Sequence, residues 1–258
     1  MIKDYIRYLL KARTKHSIHS PFVFEFVTKV LEQKKLSSLR SDEIEKVRAK
    51  LLASDKEINV LDFGANSENF LTYKRKVSDI VRISSKNRKY TRFLSRIISF
   101  YQSQNILELG TSAGISSMYM ATAVPNVKLT TIEGCPETAS LAKENFEILS
   151  INNIVQYIGN IDKILPEMMN KDIYFDFIYF DANHTEEATI RYFKQCLTSV
   201  NNESIFVFDD INWSAGMKKA WGFIINHPSV TVSIDLFFMG IVFFKKELSK
   251  EHFIIRYL

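Results

Sequence analysis

Three carboxylates follow two short apolar runs of this 258-residue chain. Asp181 comes after Phe175–Phe180. Asp209 and Asp210 come after Ser204–Phe208. If both runs are parallel strands, their carboxyl ends meet at one sheet edge, where open α/β folds bind ligands. Three carboxylates there repel one another unless they are protonated, hydrogen-bonded or bridged by a cation, and oxygen ligands suit Mg²⁺. The sequence therefore predicts an acceptor or divalent-cation site at these three residues.

A glycine-containing turn offers a second candidate site. In the segment ILELGTSAG, Gly110 permits a tight turn after a strand, and Gly114 permits close approach of the backbone to a ligand. The dinucleotide fingerprint GxGxxG would need glycine at Ser112 and a small residue at Ile115, and neither is present. The turn by itself does not identify its ligand.

Two glutamates complement this turn. Glu133 ends the next predicted strand, where a carboxylate can accept hydrogen bonds from both hydroxyls of a ribose. Alternatively, Glu133 caps the helix that starts near Pro136. Glu108 lies two residues before Gly110, where it would repel a pyrophosphate and attract a cation. The charges therefore favour S-adenosylmethionine, which has a sulfonium and an ammonium but no phosphate, over a dinucleotide.

From residue 87 onward, short apolar runs alternate with amphipathic segments, which predicts right-handed βαβ units and a parallel sheet. The predicted strands of this alternation are Asn105–Leu109, Lys128–Ile132, Ile154–Ile158, Phe175–Phe180 and Ser204–Phe208. The predicted helices are Arg88–Tyr101, Ile115–Ala123, Pro136–Leu149, Asp162–Met169 and Glu186–Ser199. Two last strands, Val230–Leu236 and Met239–Phe244, are too close in sequence for a crossover helix, so they must pair antiparallel.

The N-terminal part has a different pattern. Residues 1–55 are predicted to be helical, with a break at His16–Pro21. Ile58–Phe63 resembles a strand, and the rest of the stretch to residue 83, beginning at Gly64, is interpreted as a loop. We expect a helical N-terminal cap with a short strand and loop over residues 1–86 and a ligand-binding α/β domain over 87–258.

Composition limits the classes of partner. The net charge of +5 is modest and the basic residues are scattered, so no nucleic-acid partner is expected. Cys135 and Cys196 form no CxxC pair and fit a reducing compartment. The sequence has no apolar run typical of a signal peptide or a membrane span, so we expect a cytoplasmic protein with no membrane partner.

Four motifs in order, ILELGTSAG, TIEG, FDFIYFDANH and IFVFDDINW, resemble the class I S-adenosylmethionine-dependent methyltransferases. Within them they are most similar to the catechol and caffeoyl-CoA O-methyltransferase-like branch. The segment HSIHSPFVFEF also resembles an uncharacterised bacterial group of methyltransferases. The resemblance covers residues 87–244. It implies a Rossmann-like seven-stranded sheet flanked by helices, with the last strand antiparallel, and O-methylation of a small molecule. It also allows a homodimer.

The resemblance assigns residues to the cofactor. It places Glu133 at the ribose, and Gly159 and Asn160, followed by Pro166, in the adenine-side loop. Asp181 is expected to contact the cofactor as well. The residues implied on the methionine side are Glu108, Gly110, Thr111, Gly114 and Ser116.

The resemblance also bears on catalysis. Related enzymes bind a divalent ion through Asp, Asp and Asn, and here Asp210 replaces the Asn, which leaves Mg²⁺ or another divalent cation open. Their catalytic lysine falls three residues after the first Asp, where this chain has His184. Histidine titrates near neutrality, so His184 is a candidate general base beside Asp181. Alternatively, His184 caps the following helix or binds in the outer shell of the metal.

Other residues receive weaker predictions. His16 and His19 are either surface residues or part of a lid over the acceptor pocket. Trp213 is a candidate wall of that pocket, and Trp221 is expected in the core. Two methionines are expected to pack in the interior, Met217 and Met239.

Three alternative functions remain open at this point. One is metal-independent N- or O-methylation with His184 as base. Another is a non-catalytic module that binds S-adenosylmethionine or its product, which would not need the carboxylates at Asp181, Asp209 and Asp210. RNA methylation would call for a basic stripe and, for bases, an Asn-Pro-Pro-Tyr type motif, which is absent.

Overall fold

A computed structural model of the chain describes residues 2–33, 40–62, 71–171 and 173–257. The chain divides into two compact units, one formed by residues 1–33 with 168–258 and the other by residues 34–167. The predicted boundary between residues 86 and 87 differs from this division and stays a prediction. Gly64, where the predicted loop begins, lies outside the described residues.

Helices and strands alternate through most of the described chain. The helices are α1 Ile2–Lys11, α2 Pro21–Phe26, α3 Ser41–Leu52, α4 Val77–Ser84, α5 Arg88–Tyr101, α6 Ile115–Ala121, α7 Pro136–Ile148, α8 Ile161–Met169, α9 Glu186–Cys196 and α10 Ala215–Asn226. The strands are β1 Glu57–Asp62, β2 Leu71–Lys76, β3 Asn105–Leu109, β4 Lys128–Glu133, β5 Ile154–Ile158, β6 Phe177–Phe180, β7 Ile205–Asp209, β8 Val232–Asp235, β9 Met239–Phe243 and β10 Glu251–Ile254. A π-helical turn, Val27–Leu31, continues α2.

The unit of residues 34–167 contains three parallel strands in the order β3-β4-β5. Its interior is aliphatic: Ile106, Leu107 and Leu109 of β3 are fully buried, as is Ile132 of β4. A separate antiparallel hairpin joins β1 to β2. Asn59 of this hairpin donates its backbone N–H and its side-chain amide to the Glu137 carboxylate, at 2.7 and 2.6 Å. The hairpin is therefore attached to the first turn of α7.

The unit of residues 1–33 and 168–258 has strands in the order β10-β8-β9-β7-β6. The β6–β7 pair is parallel, and β9 is antiparallel to both β7 and β8. This confirms the predicted antiparallel pairing near the C-terminus. Aromatic side chains fill the interior, and the rings of Phe180 and Phe208 stack with centroids 4.3 Å apart.

The N-terminal segment of this unit pairs with its C-terminal segment. The backbone N–H of Arg13 donates to the Ile254 carbonyl at 2.8 Å, and the Arg256 N–H donates to the Arg13 carbonyl at 3.0 Å. The Tyr8 hydroxyl donates to the Ile255 carbonyl at 2.5 Å. Residues far apart in sequence therefore hold α1 in place.

The α/β class and the alternation are confirmed, but three segments were missed. The stretch 71–84, interpreted as loop, contains β2 and α4; β2 has three basic residues among six and so lacks an apolar pattern. Helix α10 contains Gly216 and Gly222, which weaken a helical prediction. Strand β10 has Phe253 as its one buried residue, and it raises the strands outside the hairpin to eight, against the seven expected. Within the described part of the chain, no helix has the length and apolarity needed to cross a membrane.

Candidate active site

The ends of three neighbouring strands come together in the unit of residues 34–167. The Gly110 N–H donates to the Ile132 carbonyl at 3.0 Å, and the Gly159 N–H donates to the Glu133 carbonyl at 2.8 Å. The glycine turn after β3, the acidic end of β4 and the loop after β5 are therefore adjacent. This is the arrangement that the sequence-based hypothesis needed.

Glycine is required at two positions of this edge. Gly110 and Gly114 have φ of 96° and 78°, in the region that L side chains rarely adopt. A Cβ at Gly114 would also lie 2.5 Å from Cε1 of Phe146 in α7. The sequence interpretation explained Gly114 by approach of a ligand, whereas the structure shows that packing against Phe146 already requires it.

Glu108 is fully buried and accepts hydrogen bonds from three hydroxyls. Ser116 Oγ donates to Oε1 at 2.6 Å, Thr131 Oγ1 donates to Oε2 at 2.8 Å, and Ser117 Oγ donates to Oε2 as well. Thr111 Oγ1 in turn lies 2.6 Å from Thr131 Oγ1. Ser116 and Thr111 were predicted at this site, and Ser117 and Thr131 were not. The hydroxyls fix the Glu108 carboxylate without supplying a counter-charge.

Glu133 accepts backbone N–H groups, among them those of Ser112 at 2.8 Å and Cys135 at 3.0 Å. Burial raises the pKa of the Glu133 carboxyl above its ordinary value, and these N–H donors partly oppose the shift. Glu133 thus ties the glycine turn to the end of β4. The donors to its carboxylate lie in the loops after β3 and β4. Among the described residues, no N–H inside α7 donates to it, so the helix-capping alternative has no hydrogen bond to support it.

Asn160 immediately precedes α8. Its Oδ1 accepts the Asp162 N–H at 2.8 Å, and its carbonyl accepts the N–H of Lys163 at 3.0 Å. Asn160 therefore caps α8 and is held in place by it. Pro166 lies inside α8 rather than in a loop.

A second cluster lies in the other unit. Asp181 follows β6, His184 precedes α9, and Asp209 is the last residue of β7. One potential ligand atom from each lies within 4.8 Å of the others. Asp209 is only 1% exposed. The structure thus groups Asp181 and Asp209 with His184 rather than with Asp210, which follows β7 with a left-handed φ of 52°.

Hydrogen bonds orient Asp181 within this cluster. The hydroxyl of the fully buried Tyr179 donates to Oδ2 of Asp181 at 3.1 Å. His184 Nε2 lies 3.5 Å from Oδ1 of the same carboxylate. The predicted alternative that His184 caps α9 is wrong, because Thr185 Oγ1 accepts the Ala188 N–H at 3.3 Å in that role.

The donor set of this cluster fits a divalent cation. Two closely spaced carboxylates repel each other, and a cation between them would offset that repulsion. Carboxylates suit Mg²⁺ and Mn²⁺, whereas an imidazole shifts preference toward transition metals. The structure thus brings together two carboxylates, Asp181 and Asp209, and one imidazole, His184, as possible ligands, while the oxygen-only set with Asp210 stays a prediction.

The remaining predicted residues divide between interior and surface. Trp221, Met217 and Met239 are buried, as expected. His16 and His19 are exposed. Trp213, four residues after Asp209, is 62% exposed, which is unusual for tryptophan and leaves its ring accessible.

The chain is similar to a known protein family. Residues 65–220, more than half of the chain, match the family model described as O-methyltransferase. A catechol O-methyltransferase of Niastella koreensis is 33% identical over 123 residues, which cover 46% of this chain and 55% of that relative. A catechol O-methyltransferase of Mycobacterium tuberculosis is 24% identical over 128 residues, covering 49% and 56%. The chain thus spans about half the length of these curated relatives.

Solved structures agree on the fold. The O-methyltransferase from Bacillus cereus, solved in complex with SAH, superposes with a TM-score of 0.58. The two chains are 19% identical, and the match covers 86% of this chain and 97% of the other. The Rossmann-like architecture expected from the sequence is confirmed.

Proposed function

The chain belongs to the O-methyltransferase family, and from this we propose that it transfers a methyl group from S-adenosylmethionine to an oxygen of a small molecule. The observation that carries the proposal is the meeting of three strand ends at Gly110, Glu133 and Gly159. The two carboxylates at this edge, Glu108 and Glu133, suit a ligand that carries a positive charge.

Within this proposal each cofactor residue has a defined task. Glu133 would accept hydrogen bonds from the ribose hydroxyls. The buried Glu108, held by Ser116, would favour the cationic methionine end through its negative charge. Further residues of the same unit proposed to contact the cofactor are Gly110, Thr111, Gly114, Gly159 and Asn160. Asp181 as a cofactor contact remains a prediction from the sequence.

S-adenosylmethionine would supply the methyl group as an electrophile bound to sulfur. In such a transfer an acceptor oxygen would form the new C–O bond as the S–CH₃ bond breaks, the S–C electron pair would stay on sulfur, and the hydroxyl proton would pass to a base. The chain's own contribution is alignment of the reactants and handling of that proton.

Asp181, Asp209 and His184 would hold a divalent cation, which would supply Lewis-acid activation of an acceptor hydroxyl. In the metal-free alternative, His184 takes the proton directly and Asp181 stabilises the imidazolium formed. Asp210 as a further ligand remains a prediction from the sequence.

Calorimetry with S-adenosylmethionine, with and without Mg²⁺ or Mn²⁺, tests the scheme on wild type and Asp209→Ala. We expect unchanged cofactor binding and lost metal binding in the variant. A transfer assay with labelled cofactor should use catechol first, because two relatives carry that name. Cofactor binding without transfer to any phenol or catechol would favour a binding module, and transfer that ignores chelators would favour His184 as base.

Cellular location and assembly complete the proposal. We propose a cytoplasmic protein, supported by the two buried free cysteines, Cys135 and Cys196. A homodimer is a further proposal, which sedimentation velocity would test.

A further inference from the structure

Helix α1 presents three different faces. Tyr5 and Tyr8 form the attached face: their rings lie 4.9 and 5.3 Å from the Phe237 ring, centroid to centroid. The Tyr8 hydroxyl is also bonded to the Ile255 carbonyl. The helix is therefore fixed to the unit formed by residues 1–33 and 168–258, and its other faces point away from that contact.

The second face is an exposed apolar stripe. Ile2, Ile6 and Leu10 follow one another at four-residue spacing, which places them on one side of the helix. They are 80%, 53% and 83% exposed, respectively. Single exposed apolar residues are common on protein surfaces, but a row of three along one short helix marks a contact surface.

The third face is basic and borders the apolar stripe. Lys3, Arg7 and Lys11 each follow a stripe residue by one position, and all three are exposed. None of them forms an ion pair with another described residue. The one acid of the helix, Asp4, is paired with Lys218 at 3.0 Å and so does not neutralise this row.

We propose that α1 docks the protein onto a membrane surface that contains anionic phospholipid. An apolar stripe beside a row of cations is the pattern of helices that lie in the interface, with apolar side chains below the headgroups and cations at phosphate level. Charge decides between a membrane and a second copy of the chain. An antiparallel pair of α1 helices would bring two rows of three cations together, whereas anionic headgroups neutralise them.

The helix is short, so the interaction is peripheral and reversible. Its strength must come from two contributions together, burial of the apolar stripe and attraction of the basic row. This inference revises the expectation that no membrane takes part, and it does not depend on the methyl-transfer proposal.

Co-sedimentation with phosphatidylcholine vesicles, with and without phosphatidylglycerol, tests the proposal on the full chain. We expect binding only to the anionic vesicles and release at high salt. Two variants should each weaken vesicle binding by about tenfold or more. The first is the double change Ile6→Ser with Leu10→Ser, and the second is a triple change of the basic row. The triple change is Lys3→Gln, Arg7→Gln and Lys11→Gln.

Matched controls remove the same kinds of group elsewhere. Ile83→Ser alters an apolar residue that is 72% exposed on α4. A control triple change removes equal charge at exposed lysines and should leave binding intact: Lys128→Gln, Lys143→Gln and Lys246→Gln. No binding to anionic vesicles, or equal losses in the controls, overturns the proposal. So does a shift from dimer to monomer in the Ile6 and Leu10 variant with vesicle binding unchanged, which would assign the stripe to a second copy.

Discussion

Two regions of the molecule hold carboxylates in opposite ways. At the edge of β3 and β4, Glu108 is surrounded by hydroxyl donors and Glu133 by backbone N–H groups, all from the chain itself. In the cluster after β6 and β7, Asp181 and Asp209 lie beside each other and beside His184. The first region is held in position by donors of the chain itself. The second gathers like charges that a cation would stabilise.

The largest effect is expected where the second region is broken. Asp209→Asn should lower kcat/KM about 10²–10³-fold, because it removes one charged ligand of the proposed cation. Cofactor affinity, measured by calorimetry, should stay unchanged. Asp210→Asn is the matched variant one residue away, and its effect should be at least about tenfold smaller. Equal losses of kcat/KM in both variants would contradict the assignment of Asp209 rather than Asp210 as a ligand.

Substitution in the glycine turn should lower stability through steric overlap. Gly114→Ala should lower the free energy of unfolding by about 2–4 kcal/mol, because the new Cβ meets Phe146 and φ is positive. Urea denaturation measures this loss. Gly222→Ala is the control, since a Cβ there meets nothing within 4 Å. The double change Gly114→Ala with Phe146→Leu should recover part of the loss, and no recovery would count against the packing explanation.

Glu108 tests whether the first region serves the cofactor. Glu108→Gln should weaken S-adenosylmethionine binding about 10–100-fold, since a hydrogen-bonded charge near a cation is lost. Metal binding at Asp181 and Asp209 should not change. A variant that binds the cofactor normally but loses metal would reverse the roles of the two regions.

A smaller effect is expected from Tyr179, which touches Asp181 from within the core. Tyr179→Phe removes only the hydroxyl and should weaken metal binding by about tenfold, as loss of an orienting partner does. Melting temperature should change little. A merely structural tyrosine would instead alter stability and leave Mn²⁺ affinity alone.

The smallest effect concerns pH. Because burial raises the pKa of Glu133, its contribution to stability is present at acid pH and is lost as pH rises through the raised value. As pH rises above 4.5, the ordinary pKa of a glutamate, the free energy of unfolding should therefore fall less in Glu133→Gln than in wild type. Urea titrations across that range decide the point, and parallel profiles would contradict it.

The sequence was sufficient for the regular part of the fold. Apolar runs located β3 to β7, and the short separation of the last predicted strands located the antiparallel pair. Strand β2, with three basic residues, and helix α10, with two glycines, gave no such pattern. Their positions depend on tertiary contacts that a local pattern does not contain.

The candidate site was predictable in its charges but not in its partners. Glu108 and Glu133 were identified from spacing, whereas Ser117 and Thr131, which donate to Glu108, gave no signal. Tyr179 could have been found, because a residue two positions before Asp181 lies on the same face of a strand. Spacing placed Asp181, Asp209 and Asp210 together, whereas the structure groups His184 with Asp181 and Asp209, a proximity across two loops that spacing alone did not resolve.

The pairing of Arg13 with Ile254 and of Tyr8 with Ile255 has a consequence for biosynthesis. Tyr8 and Ile255 are separated by 247 positions in the sequence. At ribosomal rates of roughly 5–20 residues per second, the first helix waits about 10–50 s before its anchoring segment emerges. Until that segment is synthesised, α1 lacks its anchoring contacts and its aromatic face stays uncovered, which makes this helix a natural place for a chaperone to act.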